Sequence, residues 1–261
     1  MGRLVGKAAV VLGAAGRGNM AQCIAKGFRE EGAQVLVAGR KMDELQRFAR
    51  EIDGHAFPCD ITRTADLDAL AKAALDRMGS VTIAVNATGW GLLKPYLETT
   101  TEELVRMTAL QFIGPFQFFQ SMIRAMTGGG SLIQISSATA TIMLNDHAAY
   151  MGAKAGTDHV VRCIANEFGK QGIRANSISP GLTETPMTAD AKKVPGLFDA
   201  FEKGYPLGRI GTSADIAAAA VWVASDECFM TGENLQVNGG LTLRRNPSSA
   251  EIAESVAKAG R

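Results

Sequence analysis

Tyr150 and Lys154 stand four positions apart in Tyr150-Met-Gly-Ala-Lys154, inside a stretch whose apolar residues recur at helical spacing. Phenol and ammonium therefore share one face of a helix. A phenol titrates near ~10 in water, and a cation at that distance favours the phenolate, which makes the pair suited to proton transfer. An isolated Tyr-x-x-x-Lys is more often a surface pair without a role. Ser137 changes that balance. It closes the run Leu132-Ile-Gln-Ile-Ser-Ser thirteen positions before Tyr150, at the carboxyl end of an expected strand, where α/β sheets bind ligands.

A second cluster lies near the N-terminus, where Gly13-Ala-Ala-Gly16-Arg17-Gly18-Asn19-Met20-Ala21 follows a strand pattern and opens a helical pattern that ends at Gly32. Small residues there let the backbone approach a pyrophosphate at a helix N-terminus. Glycines at a strand-to-helix corner also serve only to relieve sterics, but the position directly after the first strand points to a dinucleotide. An acid about 20 residues further on would accept the ribose hydroxyls of NAD, whereas an Arg suits the 2′-phosphate of NADP. The second strand ends Val37-Ala38-Gly39-Arg40-Lys41, with no carboxylate at that corner. NADP(H) is the preferred cofactor and NAD(H) the other candidate; Arg40 as a solvated loop residue is the plainer alternative.

The elements that must position these groups alternate. Strands are expected at Ala8–Leu12, Gln34–Ala38, His55–Pro58, Thr82–Val85, Ser131–Ser136, Arg174–Ser179 and Asn234–Val237, and amphipathic helices at Met42–Ile52, Ala65–Met78, Glu102–Met126 and Ala148–Gln171. This is an α/β pattern, a doubly wound parallel sheet of seven strands with helices on both faces. Gly32 and Gly172 fall where a left-handed helix cap is needed. No linker or repeat divides the chain, so a single domain is expected over 1–261, with its core in 1–243 and a tail, 244–261, helical from Ser249. A net charge of +1 and the lack of a basic run argue against nucleic acid. No apolar run nears the ~18 residues of a membrane span, and no signal-peptide pattern opens the chain, so a soluble, cytoplasmic protein is expected. Cys23, Cys59, Cys163 and Cys228 are dispersed and read as four buried thiols, and the three dispersed histidines make no metal site.

From Lys7 to Gly240 the sequence resembles the short-chain dehydrogenase/reductase family. That family's active-site Ser, Tyr and Lys correspond to Ser137, Tyr150 and Lys154. Its segment after the fourth strand corresponds to Asn86-Ala87-Thr88-Gly89, its acid near the adenine to Asp60-Ile61, and its Pro-Gly segment to Pro180-Gly181-Leu182-Thr183-Glu184-Thr185; Thr231-Gly232 and Val237-Asn238-Gly239-Gly240 also fit. The resemblance implies a Rossmann-type fold and an NAD(P)-dependent oxidoreductase that interconverts a secondary alcohol and a ketone. Tyr150 would transfer the proton, Ser137 would hold the reacting oxygen, and Lys154 would lower the phenol pKa and bond the nicotinamide ribose. It also implies a homotetramer joined through the helices at Glu102–Met126 and Ala148–Gln171.

Two departures qualify the match. The glycine loop is about two residues longer than is common in the family and carries Asn19 and Ala21 where glycines are usual, which is similar to the enoyl-ACP reductase branch. That branch places six residues between its Tyr and Lys, and the corresponding position here is Thr157, so the spacing favours carbonyl chemistry. The second departure is Gln111, where the family commonly has an Asn that kinks its helix and holds a relay water. Gln111 is carried as a catalytic candidate, with a helix residue facing a neighbouring subunit as the alternative.

The substrate is expected to be a small, largely apolar carbonyl compound or alcohol, covered by the segment from Thr185 to Gly208 and flanked by Trp90, Met143, Leu144 and Met187. Any of these could equally be packing residues. Lys192 and Lys193 could meet an acyl-carrier or CoA phosphate. His147 is not needed by the family mechanism, and His55 and His159 read as structural. The competing readings are a 3-oxoacyl thioester reductase, an enoyl reductase and a redox-inactive cofactor-binding protein. The tail beyond Gly240 is expected to cross to a neighbouring subunit, or to be a loose terminus.

Overall fold

The run Ala8-Ala-Val-Val-Leu12 forms strand β1, buried on both sides as an apolar strand without polar alternation must be. In the computed structural model, which describes residues 2–260 apart from the side chain of Met187, it divides two cores. The pocket-lining role expected of Met187 lies outside the described residues. Ala9 and Val11 point into one core and Ala8, Val10 and Leu12 into the other. The remaining strands are β2 (Gln34–Gly39), β3 (His55–Pro58), β4 (Ile83–Asn86), β5 (Gly130–Ile135), β6 (Ile173–Pro180), β7 (Thr183–Glu184), β8 (Gly211–Thr212) and β9 (Asn234–Val237). Seven of them form one parallel sheet in the order β3-β2-β1-β4-β5-β6-β9, the doubly wound arrangement expected. Its order reverses between β1 and β4, which opens a crevice at the carboxyl ends of those strands.

β4 starts one residue later than its β-branched run suggests; Thr82 just before it donates its N–H to the Ala8 carbonyl at 2.9 Å, and its hydroxyl, not its carbonyl, accepts the Ala8 N–H at 2.8 Å. The two-residue ladder of β7 with β8 was not anticipated; segments that short carry no periodicity.

The helices are α1 (Met20–Glu30), α2 (Met42–Glu51), α3 (Thr64–Met78), α4 (Thr101–Thr108), α5 (Gly114–Ala125), α6 (Ala148–Phe168), α7 (Ala189–Lys192), α8 (Leu197–Glu202), α9 (Ser213–Ala224) and α10 (Ser249–Ala259). Residues of α1, α2 and α9 fill one core, and those of α3, α5 and α6 the other. Gly32 and Gly172 both take positive φ, 94° and 76°.

The expected single helix over Glu102–Met126 is broken by a π-turn at Ala109–Ile113. Pro115 explains why an uninterrupted helix is disfavoured here: it has no N–H to give to the carbonyl four residues back, that of Gln111. The Thr157 hydroxyl of α6 donates to that carbonyl instead, at 2.6 Å. The four thiols are not uniformly buried: Cys59 and Cys228 are, Cys23 is only partly so, and Cys163 is exposed. The buried stripe of α6 runs through Lys154, Thr157, Asp158, Val161, Ile164 and Ala165, and Cys163 falls outside it. Among the described residues no helix is long and apolar enough to cross a membrane.

The tail folds back on its own chain rather than reaching away. Helix α10, opened by a capping box between Ser248 and Glu251, packs on α8. Buried Asn246 donates to the Met143 carbonyl at 3.0 Å, and Asn145 donates to Ser249 at 3.3 Å, so the tail straps the loop that follows Ser137. Truncation after Leu243 is expected to raise KM several-fold more than it lowers kcat and to lower Tm by a few degrees; steady-state kinetics that match the full chain would remove this role for the strap.

Candidate active site

Strand β5 ends at Ile135, and the chain turns into a short 3-10 segment that Ser137 caps. The Ser137 hydroxyl accepts from the Thr139 N–H at 3.2 Å and shares a 2.8 Å hydrogen bond with the Thr139 hydroxyl. Helix α6 runs back past this point and carries Tyr150 in its first turn and Lys154 one turn later. The Lys154 Nζ donates to the Ile135 carbonyl at 2.8 Å and lies 5.5 Å from the centre of the Tyr150 ring. Ser137, Tyr150 and Lys154 thus meet at the carboxyl end of β5.

Their electrostatics differ from expectation. Burial pushes the Tyr150 phenol up to about 12, hydrogen bonding with Ser137 opposes this, and the charge of Asp158 adds to it. Lys154, 2% exposed, is drawn down to about 8 by burial while Asp158 resists. Desolvation outweighs the expected acidifying effect of Lys154 on the phenol. In this state Tyr150 is a neutral donor at working pH.

Asp158 was missed in the sequence. It lies four residues beyond Lys154 on the same face of α6, buried, and accepts hydrogen bonds from Ser136 at 2.8 Å, Ser177 at 2.6 Å and Asn234 at 2.7 Å. Burial raises its carboxyl above the usual range, against the hydrogen bonds of Ser177 and Ser136 and the charges of Lys154 and Arg162. An acid on the apolar stripe of a helix was the available signal. Beside the same helix, His147 packs its ring on Tyr150 with centroids 4.5 Å apart.

Gln111 sits in the π-turn, fully buried. Its Nε2 donates to the Trp90 carbonyl at 3.2 Å and its Oε1 has no partner. The backbone carbonyl is taken by Thr157, so only the orphaned Oε1 is left to hold a polar group. Trp90 is covered by the Arg106 guanidinium, 4.1 Å from its ring centre. Phe198 and Phe201 pack with Ile142 and Leu182 around buried Ala138, Tyr205, Ile210 and Leu241, a satellite core that holds the 185–208 segment in place. Met143 and Leu144 border a cavity of about 260 Å³.

At the other end of the crevice, the glycines of the loop after β1 serve different ends. A Cβ at Gly13, φ 110°, would lie 2.7 Å from the Ala87 backbone, so this glycine is needed for packing; Gly18, φ 66°, has nothing within 4 Å of that position and leaves the approach open. Several expected binding side chains are committed internally. Asn19 caps α1 by accepting the Gln22 N–H at 3.0 Å and donates to the Gly13 carbonyl at 2.8 Å. Asn86 bonds Gln134 at 2.9 Å and accepts from Thr88, fixing the loop of Ala87, Thr88 and Gly89. Ile61 is buried in the core. Asp60 accepts from the Thr62 N–H and hydroxyl, which leaves its second oxygen available. Thr183 donates to Gly181, just past buried Pro180, and the Thr185 N–H is bonded by Thr188. Met20 opens α1 and keeps partial exposure.

The corner beyond β2 also differs from the sequence reading, which found no carboxylate there. Glu44 of α2 reaches back to accept from Gln22 at 3.0 Å, and Gln22 itself donates to the Ala14 carbonyl of the loop. Glu44 is bound by Arg47, which holds its carboxyl down at about 2. Arg17 and Arg40, exposed at the same corner, enter no ion pair among the described residues.

Comparison with known proteins gives a consistent picture. A family profile described as Enoyl-(Acyl carrier protein) reductase matches residues 13–242. The chain is 32% identical to a D-threitol dehydrogenase of Mycolicibacterium smegmatis, over 93% of this chain and 95% of that one. It is 33% identical to 3beta-hydroxysteroid dehydrogenase 1 of Eggerthella lenta, over 92% and 95%. A solved short-chain type dehydrogenase/reductase from Mycobacterium ulcerans superposes with a TM-score of 0.91 at 26% identity, covering 97% and 98% of the two chains.

Proposed function

The chain belongs to the short-chain dehydrogenase/reductase family, and from that premise we propose that it interconverts a secondary alcohol and a ketone, with Tyr150 as the proton-transfer residue. The observation that carries the reading is the meeting of the Ser137 hydroxyl, the Tyr150 phenol and the Lys154 ammonium at the end of β5. Bound along the crevice, a nicotinamide dinucleotide would supply or accept the hydride. Ser137 holds the substrate oxygen by hydrogen bond, and Tyr150, neutral in this environment, gives its proton to that oxygen in the reducing direction. Lys154 keeps a positive charge beside the developing phenolate. Gln111 Oε1 offers a buried acceptor for a polar group next to Trp90.

Two competing chemistries lose support. Enoyl reduction of the branch with six residues between Tyr and Lys would need a lysine at position 157, where Thr157 is instead bonded to two carbonyls. For an acyl-carrier or CoA phosphate, Lys192 and Lys193 are already paired with Glu184 and Asp190. The named relatives act on a four-carbon polyol and on a hydroxyl of a steroid, and a secondary alcohol carbon is what both substrates have in common. A turnover screen of secondary alcohols and ketones with both coenzymes tests the reading; activity confined to enoyl thioesters would overturn it.

NADP(H) is the coenzyme we expect to be preferred, because the cations Arg17, Arg40 and Lys41 at the ribose corner enter no ion pair among the described residues. Arg40→Ala should weaken NADPH binding about ten- to a hundredfold, the worth of a charge-assisted hydrogen bond, while NADH binding changes little. Tighter binding of NADH than NADPH by the unaltered protein would sink this assignment. Exposed Leu104, Val105, Ile113 and Phe116 along α4 and α5 support association through these helices, with a homotetramer as the expected assembly.

A further inference from the structure

His147 stands at the entrance to α6 with 9% exposure and does not take part in the proton transfer described above. Its Nδ1 lies 2.7 Å from the Leu92 carbonyl oxygen. A carbonyl can only accept, so Nδ1 carries the proton, and in the neutral ring Nε2 is left as an acceptor. Burial favours that neutral ring. One residue earlier, Asp146 takes φ of 60°, left-handed backbone that a non-glycine residue adopts only when its surroundings hold it there. What holds it is the Lys94 N–H, which donates to the Asp146 carbonyl at 2.6 Å. Residues 146 and 147 are thus pinned twice to residues 92 and 94, and the imidazole has a preset orientation.

Among the described residues Nε2 has no hydrogen-bond partner. The ring lies between two features that define its use. One is the Tyr150 ring, 4.5 Å away and inclined by 30°. The other is the cavity of about 260 Å³, which His147 borders together with Tyr96, Met143, Leu144, Asn145, Asp146 and Met151. A substrate whose reacting oxygen meets Tyr150 would place the oxygen of the neighbouring carbon beside the ring stacked on Tyr150. Of the cavity's other polar side chains, Asn145 is bonded to Ser249 and Tyr96 is largely exposed, whereas His147 alone packs against Tyr150.

We infer that His147 Nε2 accepts a hydrogen bond from a hydroxyl on the carbon adjacent to the reacting one, so that the site selects 1,2-diols and α-hydroxy ketones over isolated secondary alcohols. This rests on the reading of Tyr150 as the proton-transfer residue. A site that hydrogen-bonds a substrate hydroxyl discriminates against an analogue lacking it, because the acceptor that the bound molecule covers is then left unpaired.

The test compares kcat/KM for butane-2,3-diol with butan-2-ol, and for acetoin with butanone, in the unaltered protein and two variants. His147→Asn retains an amide donor near the place of Nδ1, and with it the hydrogen bond to Leu92, but removes the acceptor. His147→Gln does the reverse, placing an amide group near Nε2 and losing the Leu92 bond. The unaltered protein is expected to prefer the hydroxylated member of each pair by at least about tenfold. His147→Asn should abolish that ratio, mainly through KM, and His147→Gln should keep part of it. An unchanged ratio in His147→Asn, including a loss shared equally by both substrates, overturns the inference, as does an unaltered protein that turns over both without preference. The last result leaves the assignment of Tyr150 standing. Turnover of no alcohol or ketone at all refutes that assignment, and this inference falls with it.

Discussion

Tyr150→Phe is expected to lower kcat by about 10²- to 10⁴-fold, the usual worth of a positioned general acid, while cofactor affinity changes by less than about tenfold. The substitution removes one oxygen and keeps the ring that packs against His147 and lies near Lys154, so the fold loses little. Because burial holds the phenol at about 12, the protonated form is the dominant one at neutral pH. Single-turnover reduction of a ketone, followed by coenzyme absorbance, reads the chemical step directly. A variant within tenfold of the unaltered rate would show that the proton comes from elsewhere.

Asp158→Asn should move the whole pH profile of kcat/KM to lower pH by about one unit, with only a small change in Tm. The sign follows from charge. The carboxylate raises both the Tyr150 and the Lys154 pKa, so its removal lets both fall, and Lys154, already drawn down to about 8, loses its proton near neutrality. Turnover at pH 8 to 9 is lost first. Stability behaves differently. Asp158 has a folded pKa raised above its unfolded value, so its ionised form weakens the fold as pH rises, and a neutral amide removes that penalty. The amide can accept from Ser136 and Asn234 and donate to the Ser177 oxygen, so each of the three contacts keeps a hydrogen bond. A profile that only shrinks in height, with its limbs in place, would assign Asp158 a structural role instead.

The sheet was legible because its strands are apolar on both faces and its helices carry a single stripe, patterns that burial writes directly into residue order. The placement of Ser137, Tyr150 and Lys154 was legible for a related reason: one lies just past a strand end, and the other two lie one turn apart on a helix. The features that escaped depend on partners far apart in sequence. Glu44 meets Gln22 across the first crossover, Asn246 meets Met143 across more than 100 residues, and Asp158 gathers a hydroxyl from just past β5, another from β6 and an amide from β9. Nor could spacing reveal that Asn19 and Asn86, in binding motifs, spend their side chains on the loops themselves. The pKa reversal at Tyr150 was hidden because a nearby cation can be counted from sequence, while the depth of burial that outweighs it cannot.

The pairing of Pro115 with Thr157 constrains how this active site could evolve. An imino acid leaves the Gln111 carbonyl without its helical donor, and the residue that supplies one occupies the position where a six-residue spacing would put its catalytic ammonium. Converting that position to lysine would remove the hydroxyl that bonds this carbonyl at the moment a new charge arrived. Restoring a hydrogen at 115 would have to come first. The absence of one proton on a helix thus ties the residue at 157 to a hydroxyl in this chain.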